Sequence, residues 1–411
     1  MARATPDDGH RPDTRSGLNM ASRSLSLALV TETYPPEVNG VAMTLGRLVG
    51  GLEARGHRIR IVRPRQKDEK VGQETHNQLL TQGLPIPRYP ELRFGLPAAG
   101  RLRKSWLTQP PDILHIATEG PLGYSALSLA RNLSIPVVST FHTNFHSYSR
   151  HYGIGWLHGR IESYLRWFHN RTAATLVPTR ALSDALTQQG FRNVGVLSRG
   201  VDTRLFHPGR RCATLRSYWG AQENDPVAIV VGRLAPEKNL GLALKAFSDL
   251  RSIHPRTRMV FVGDGPLRKP LERRHPDCHF AGNRHGEDLA THYASADLFL
   301  FPSLTETFGN VVTEALASGL PVVAYDCAAA ADLIVNGQNG FLAPPGNAAS
   351  FIAAAVQVME TNSPWRQTCP ASVRHLDWER IYNTYEALLD ELIAGKSLSP
   401  TPDGSFGFVA D

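Results

Sequence analysis

The same short plan is written twice in this chain. Residues 25–62, "LSLALVTETYPPEVNGVAMTLGRLVGGLEARGHRIRIV", begin with an apolar stretch and a Pro/Gly loop. A helical pattern carrying Leu45, Leu48, Val49 and Leu52 follows, then a β-type run ending at Val62. Residues 227–263, "VAIVVGRLAPEKNLGLALKAFSDLRSIHPRTRMVFVG", repeat it. Each copy is a β-loop-α-β unit, which favours a right-handed crossover between parallel strands.

Further apolar runs extend both copies. "DILHI", "PVVSTF", "ATLVP" and "VGVLSRG" follow the first; "ADLFLFPS", "PVVAYD" and "GFLAP" follow the second. Continuous Val/Ile/Leu runs alternating with helical patterns belong to parallel sheets buried on both faces. The expected fold class is therefore α/β, with two Rossmann-like, doubly wound domains, and 411 residues suit two cores. The expected boundaries are residues 25–205 and 206–377, joined where "VDTRLFHPGRRCATLRSYWGAQEND" loses strand character. "WERIYNTYEALLDELI", residues 378–393, reads as a strong amphipathic helix. Residues 1–24 and the Ser/Pro/Gly-rich residues 394–411 are expected to be disordered tails.

Composition narrows the class. The four cysteines are scattered without metal-type spacing, as a reducing compartment tolerates. The polar start is no secretory signal, and "LSLALV" is too short to span a bilayer. A cytoplasmic protein, soluble or peripheral at the inner membrane face, is expected. Residues 1–204 hold 26 Lys and Arg against 15 Asp and Glu, whereas the remainder is acidic. A basic first half suits an anionic small substrate or membrane. Nucleic acid is not expected, because no single-strand-binding face or recognition motif occurs.

In open α/β sheets, ligands bind beyond the carboxyl ends of the strands, so residues just after each apolar run are informative. Gly40 follows the first run and precedes a helix, where backbone N–H groups could approach a phosphate. His142 follows "PVVST" and is a cleft candidate, with a structural histidine as the alternative. Arg233 and Lys238 share one loop before a helix, which is equipment for a diphosphate. A surface pair between Arg233 and Glu237 is the plainer reading. Gly263, in "FVGDGP", adds a glycine turn at another strand end.

"ETFGNVVTEALASGLPVV", from Glu306 to Val323, carries two glutamates eight residues apart. A helix is expected from Asn310 to the Ser318–Gly319 stop, with Glu306 in the loop before it. Val311, Val312, Ala315 and Leu316 share one face; Glu314 and Asn310 share another. The carboxylates can then line one cleft instead of opposing each other across a bond, which suits hydroxyl binding better than glycosidase chemistry. Charge complementation at the helix N-terminus by Glu306, with an exposed Glu314, is the plainer reading.

These motifs together resemble the retaining GT-B glycosyltransferases of sequence family 4. The resemblance runs from about Leu25 to Ile393 through "PPEVNGVA", "STFHTNF", "GRLAPEKN", "VGDGP", "YASADLFLFPSLTETFGNVVTEALASGLPVV" and "NGQNGFL". Within the family it looks most like GDP-mannose-dependent α-mannosyltransferases and the sulfoquinovosyl- or glycosyl-diacylglycerol synthases. It implies two domains facing a cleft and a last helix crossing back to the first domain. It also implies that Arg233 and Lys238 hold the donor diphosphate, Glu314 the ribose and Glu306 the transferred sugar. Phe308, Gly309 and Asn310 would offer backbone contacts, Gly40 would approach the diphosphate, and His142 would contact the sugar near its anomeric carbon.

The implied partners are a nucleotide diphosphate sugar and a lipid or glycan acceptor. Asn283 and Arg284 are candidates for reading the base. No cofactor and no metal is expected: D-x-D is absent from the sequence, so cations must neutralise the diphosphate. Many relatives carry a glycine turn after the "PVV" strand; here it reads Cys327-Ala328-Ala329-Ala330-Ala331-Asp332. Leu92–Leu107 could form a basic amphipathic patch facing an anionic membrane, or a surface helix packed on its own domain. Two other classes share the architecture. A nucleotide-sugar epimerase would need no acceptor, and a binding module would show ligand stabilisation without turnover.

Overall fold

A computed structural model describes residues 24–37, 39–66, 69, 77–86, 89–142, 158–306, 308–361, 363–400 and 406–410. The expectation for residues 1–23 and the part of "STFHTNF" beyond His142 lie outside these.

Two parallel sheets form, one per half. The first holds β1 (Ser26–Val30), β2 (Arg58–Pro64), β3 (Gln78–Thr81), β6 (Ile113–Ile116), β7 (Val137–Thr140), β8 (Ala174–Val177) and β9 (Val194–Val196). Between β3 and β6 lies an antiparallel hairpin, β4 (Gly83–Ile86) with β5 (Tyr89–Gly95). The second sheet holds β10 (Val227–Val231), β11 (Arg258–Val262), β12 (His279–Gly282), β13 (Leu298–Phe301), β14 (Val322–Tyr325) and β15 (Gly340–Ala343). The orders are β3-β2-β1-β6-β7-β8-β9 and β12-β11-β10-β13-β14-β15.

In each sheet the chain starts centrally, winds to one side, then jumps back across its first strand. The switch points are β1/β6 and β10/β13, and loops leaving them diverge into a crevice. All five residues of "VAIVV" in β10 are buried, because helices cover both faces of the sheet. The two faces appear as separate apolar clusters. One face of the second sheet gathers Ile229, Phe299 and Val312; the other gathers Val230, Phe247 and Phe351.

The helix Trp378–Ile393 packs on the first half, as the family resemblance implied. Tyr382, Tyr385, Leu388, Leu389 and Leu392 join the cluster around β1 and the helix Gly40–Ala54. Arg55 bonds both Glu379 and Glu386 at 2.6 Å, and the Tyr385 hydroxyl lies 2.8 Å from Nδ1 of buried His115. The chain passes between the halves twice, side by side, with Val201 N–H donating to Leu376 O at 2.8 Å.

One expectation is corrected. The tail after Ala394 is not without order: β16 (Lys396–Pro400) pairs antiparallel with β17 (Phe406–Ala410). Leu398 sits at the centre of β16 and is 4% exposed in the first half's core, which anchors the hairpin. Leu92–Leu107 follows the second of its two readings and packs on its own domain. It contributes to β5 and then to the helix Ala99–Thr108, which buries Leu102 and Trp106 in its own domain. The exposed side of that helix carries Arg101, Arg103 and Lys104.

Candidate active site

The loop after β13 and the helix that follows it carry the two glutamates. The helix runs Asn310–Ala317. Gly309 caps it at φ +93, a conformation that a side chain disfavours, and a Cβ there would stand 3.2 Å from the Phe301 ring. Glu306 lies in the loop. Its Oε1 accepts from Ser303 Oγ at 2.8 Å and forms a short ion pair with Lys238 Nζ. The loops after β10 and β13 are thus tied together across a topological switch point.

Lys238 reaches this position through a one-turn 3-10 helix, Pro236–Lys238, followed by Asn239 at φ +51. Only after that residue does the helix Leu240–Ile253 begin. Arg233 is 65% exposed, with Glu237 3.6 Å away. That long contact is the plainer pair anticipated for this loop, and it leaves most of the guanidinium exposed.

Glu314 is only partly buried as a residue, but its carboxyl turns inward. Burial pushes its pKa up to about 7, opposed by the hydrogen bond that the Tyr293 hydroxyl donates to Oε2 at 2.9 Å. Asn310, four residues earlier, accepts from Arg199 Nη1 at 3.3 Å. Phe308 is buried, and its carbonyl is taken by the N–H of Ala329 at 3.0 Å, so a ligand meets that carbonyl already engaged.

On the first half, Gly40 opens the helix Gly40–Ala54, and the preceding Asn39 caps it. Asn39 Oδ1 accepts from Val41 N–H at 3.1 Å and Ala42 N–H at 2.9 Å. The cap thus satisfies two first-turn donors, which narrows a phosphate's approach to the Gly40 end. His142 follows β7, and both ring nitrogens are buried. Burial, then the charges of Arg199, His115 and His169, hold its pKa well below the usual histidine value, so the ring is neutral at pH 7.

The remaining candidates stand apart. Gly263 has φ +134, and a Cβ on it would lie 2.0 Å from Gly232 O. Close approach of the β10 and β11 ends is reason enough for that glycine. Asn283 and Arg284 follow β12, the edge strand, three places along the sheet from β13. Arg284 is held locally, by Ala281 O at 3.0 Å and Asp288 at 2.9 Å, while Asn283 is exposed.

Sequence reading missed Arg199, Ser303, Asn39 and Tyr293. Arg199 had a signal: it lies just past β9 in "SRGVD", where the rule that selected Arg233 applies equally. Among the described residues, no group of three or more His, Cys, Asp or Glu is placed to hold a metal ion.

The site therefore brings together Lys238, Glu306 and Asn310 from the second half with Arg199 and, beside it, His142 and Gly40 from the first. Cations, a helix N-terminus and the Glu306 carboxylate converge, which is a chemistry for phosphates joined to a polyhydroxylated group.

Two family models match. One, described as Glycosyltransferase Family 4, covers residues 38–205; the other, Glycosyl transferases group 1, covers residues 225–361. The GDP-mannose-dependent alpha-mannosyltransferase of Corynebacterium glutamicum is 32% identical over 377 residues, spanning 90% of this chain and 88% of the relative. The sulfoquinovosyl transferase SQD2 of Arabidopsis thaliana is 32% identical over 338 residues, spanning 79% of this chain and 65% of the relative. Among solved structures, a sucrose-phosphate synthase from Thermosynechococcus elongatus has a TM-score of 0.72 at 19% identity, covering 90% of this chain and 99% of that one.

Proposed function

This chain belongs to glycosyltransferase family 4 and has the GT-B fold, and we propose that it transfers mannose from GDP-mannose to a lipid or glycan acceptor. The observation that carries the site assignment is the Lys238–Glu306 pair at the β10/β13 switch point. A cation and a carboxylate there are held ready for a diphosphate and a sugar. The donor preference is supported by relatives named GDP-mannose-dependent alpha-mannosyltransferases, at 31–34% identity.

In this reading Arg233 and Lys238 take the diphosphate and stabilise the negative charge that grows on it as the glycosidic bond breaks. Glu306, released from Lys238, accepts hydrogen bonds from the sugar hydroxyls. Glu314 does the same for the ribose. His142, neutral and enclosed, offers one ring N–H or lone pair to the sugar. The acceptor oxygen attacks on the face the phosphate leaves. The C1–phosphate bond breaks, the C1–acceptor bond forms, and the acceptor proton passes to the departing phosphate oxygen. Configuration at C1 is retained.

The donor diphosphate is a substrate, and Arg233 and Lys238 do the neutralising that a metal would otherwise do. No helix among the described residues is long and apolar enough to cross a membrane. A lipid acceptor would be met at a membrane surface, and the exposed Arg101, Arg103 and Lys104 suit an anionic one. A UDP-sugar-dependent diacylglycerol synthase is the second reading, favoured by the SQD2 similarity.

A donor panel separates the two. GDP-mannose, UDP-glucose, UDP-glucuronate and UDP-galactose are each offered with and without lipid extract, and nucleotide release is measured. Acceptor-stimulated release of GDP supports the proposal, and stimulated release of UDP supports the second reading. No stimulated release from any donor would sink both.

A further inference from the structure

We propose that Arg199 is a third cation of the donor site, reaching the sugar-bearing phosphate of the nucleotide sugar from the first half of the chain. The proposal rests on the nucleotide-sugar reading above and adds a residue which that reading does not use.

Arg199 is 7% exposed, yet its hydrogen bonding is poor. Among the described residues, Nη1 makes one long bond of 3.3 Å to Asn310 Oδ1, and Nε is buried with no partner. The guanidinium carbon lies 5.6 Å from the centre of the Phe308 ring. Among the described residues no carboxylate forms a salt bridge with it. The carboxylate whose charge it feels, Glu306, is already held by Lys238 and Ser303. A buried guanidinium is unfavourable unless an anion and good hydrogen bonds compensate its lost hydration. Burial lowers its pKa to about 10, so it remains charged at neutral pH.

The surroundings say which anion is missing. Nη1 stands 3.2 Å from where a Cβ on Gly40 would be, at the start of the helix Gly40–Ala54. On the other side Nη1 meets Asn310, the first residue of the helix Asn310–Ala317. Two helix N-termini and a guanidinium converge, and all three favour negative charge. Glu306, the proposed sugar anchor, is the common neighbour of Lys238 and Arg199. A phosphate joined to a sugar held by Glu306 therefore falls between the two cations. Because Arg199 belongs to the first half and Lys238 to the second, the donor site is complete only when both halves contribute.

The test is calorimetric titration of GDP and GMP into the wild type, Arg199→Gln, Arg199→Lys and, as a control, Arg233→Ala. Arg199→Gln should weaken GDP by about tenfold or more while changing GMP less than about twofold, since GMP lacks the distal phosphate. Arg199→Lys should recover part of the loss. Two outcomes overturn the proposal. GDP affinity could be unchanged in Arg199→Gln, or GDP and GMP could weaken equally, as a structural role predicts. If Arg233→Ala loses GDP and Arg199→Gln does not, the nucleotide-sugar reading stands and the Arg199 assignment falls. If the wild type binds UDP instead, the UDP/UMP contrast reads the same question. If it binds neither diphosphate, the underlying reading fails as well.

Discussion

Lys238 and Glu306, 68 residues apart in sequence, form a short ion pair in the cleft, with their side chains 25% and 16% exposed. Each is thus the other's partner until a ligand separates them. A diphosphate that takes Lys238 competes with Glu306 for the ammonium. Glu306→Gln should therefore leave GDP binding unchanged or tighten it several-fold, because Lys238 is freed. Substrate turnover should fall in the same variant. Titration of GDP against Glu306→Gln checks this; a large loss of GDP affinity would show that the pair organises the phosphate site instead of competing with it.

Glu314 makes stability depend on pH. Its folded pKa is raised to about 7 from the ordinary 4.5, so the folded state keeps a proton that the unfolded state gives up. Stability from this group is full below about pH 4.5 and is lost as pH rises through 7. The upper bound is about 3 kcal/mol, from 1.36 kcal/mol per pKa unit. Glu32, also raised to about 7 by burial, acts in the same direction. Urea unfolding at several pH values should show a shallower decline between pH 5 and 8 in Glu314→Gln than in the wild type. Parallel curves would contradict the assignment.

Gly50 and Gly51 are adjacent in one helix but should respond oppositely to alanine. Helix propensity alone favours alanine by about 1 kcal/mol at either position. At Gly50 a Cβ meets nothing within 4 Å, so Gly50→Ala should stabilise. At Gly51 a Cβ would lie 2.0 Å from Tyr382 Cζ, so the Tyr382 ring, or the closing helix Trp378–Ile393 that carries it, must shift. Gly51→Ala should lose about 1–3 kcal/mol, the usual range for overpacking. Chemical denaturation of both variants reads the contrast, and stabilisation by both would mean that the closing helix packs differently.

Ala328 occupies a left-handed conformation at φ +51, where glycine is at ease and alanine pays about 1–2 kcal/mol. Ala328→Gly should gain up to about 1 kcal/mol, once the extra freedom of glycine in the unfolded chain is subtracted. A melting temperature clearly below that of the wild type would contradict the strain argument.

Much of the architecture was legible because buried parallel strands advertise themselves. "VAIVV" and "PVVAY" are apolar on both faces, and the Ser318–Gly319 stop ended its helix where expected. β3 and β12 were missed because they are short strands at sheet edges, with polar residues such as Gln78 and His279. The hairpin of β16 and β17 was hidden by Ser, Pro and Gly, whose local preferences are overridden by pairing and by burial of Leu398. The strand-end rule picked out Lys238, Glu306 and His142, which the fold brings to one candidate site. It did not reveal that Gly263 serves strand packing, since a glycine required by a neighbouring backbone and one required by a ligand look alike in sequence. Nor could local pattern bring Arg199 to Asn310, because that contact joins residues 111 apart across the two halves.

The most direct measurement is acceptor-dependent release of GDP from GDP-mannose by the wild type, Arg233→Ala, Lys238→Ala and Glu306→Ala. Thermal unfolding of each variant confirms that it is folded. The account predicts stimulated release by the wild type. Folded variants should be slower by about a hundredfold or more, the scale on which loss of a group stabilising the transition-state charge is felt. Wild-type rates in all three folded variants would contradict it.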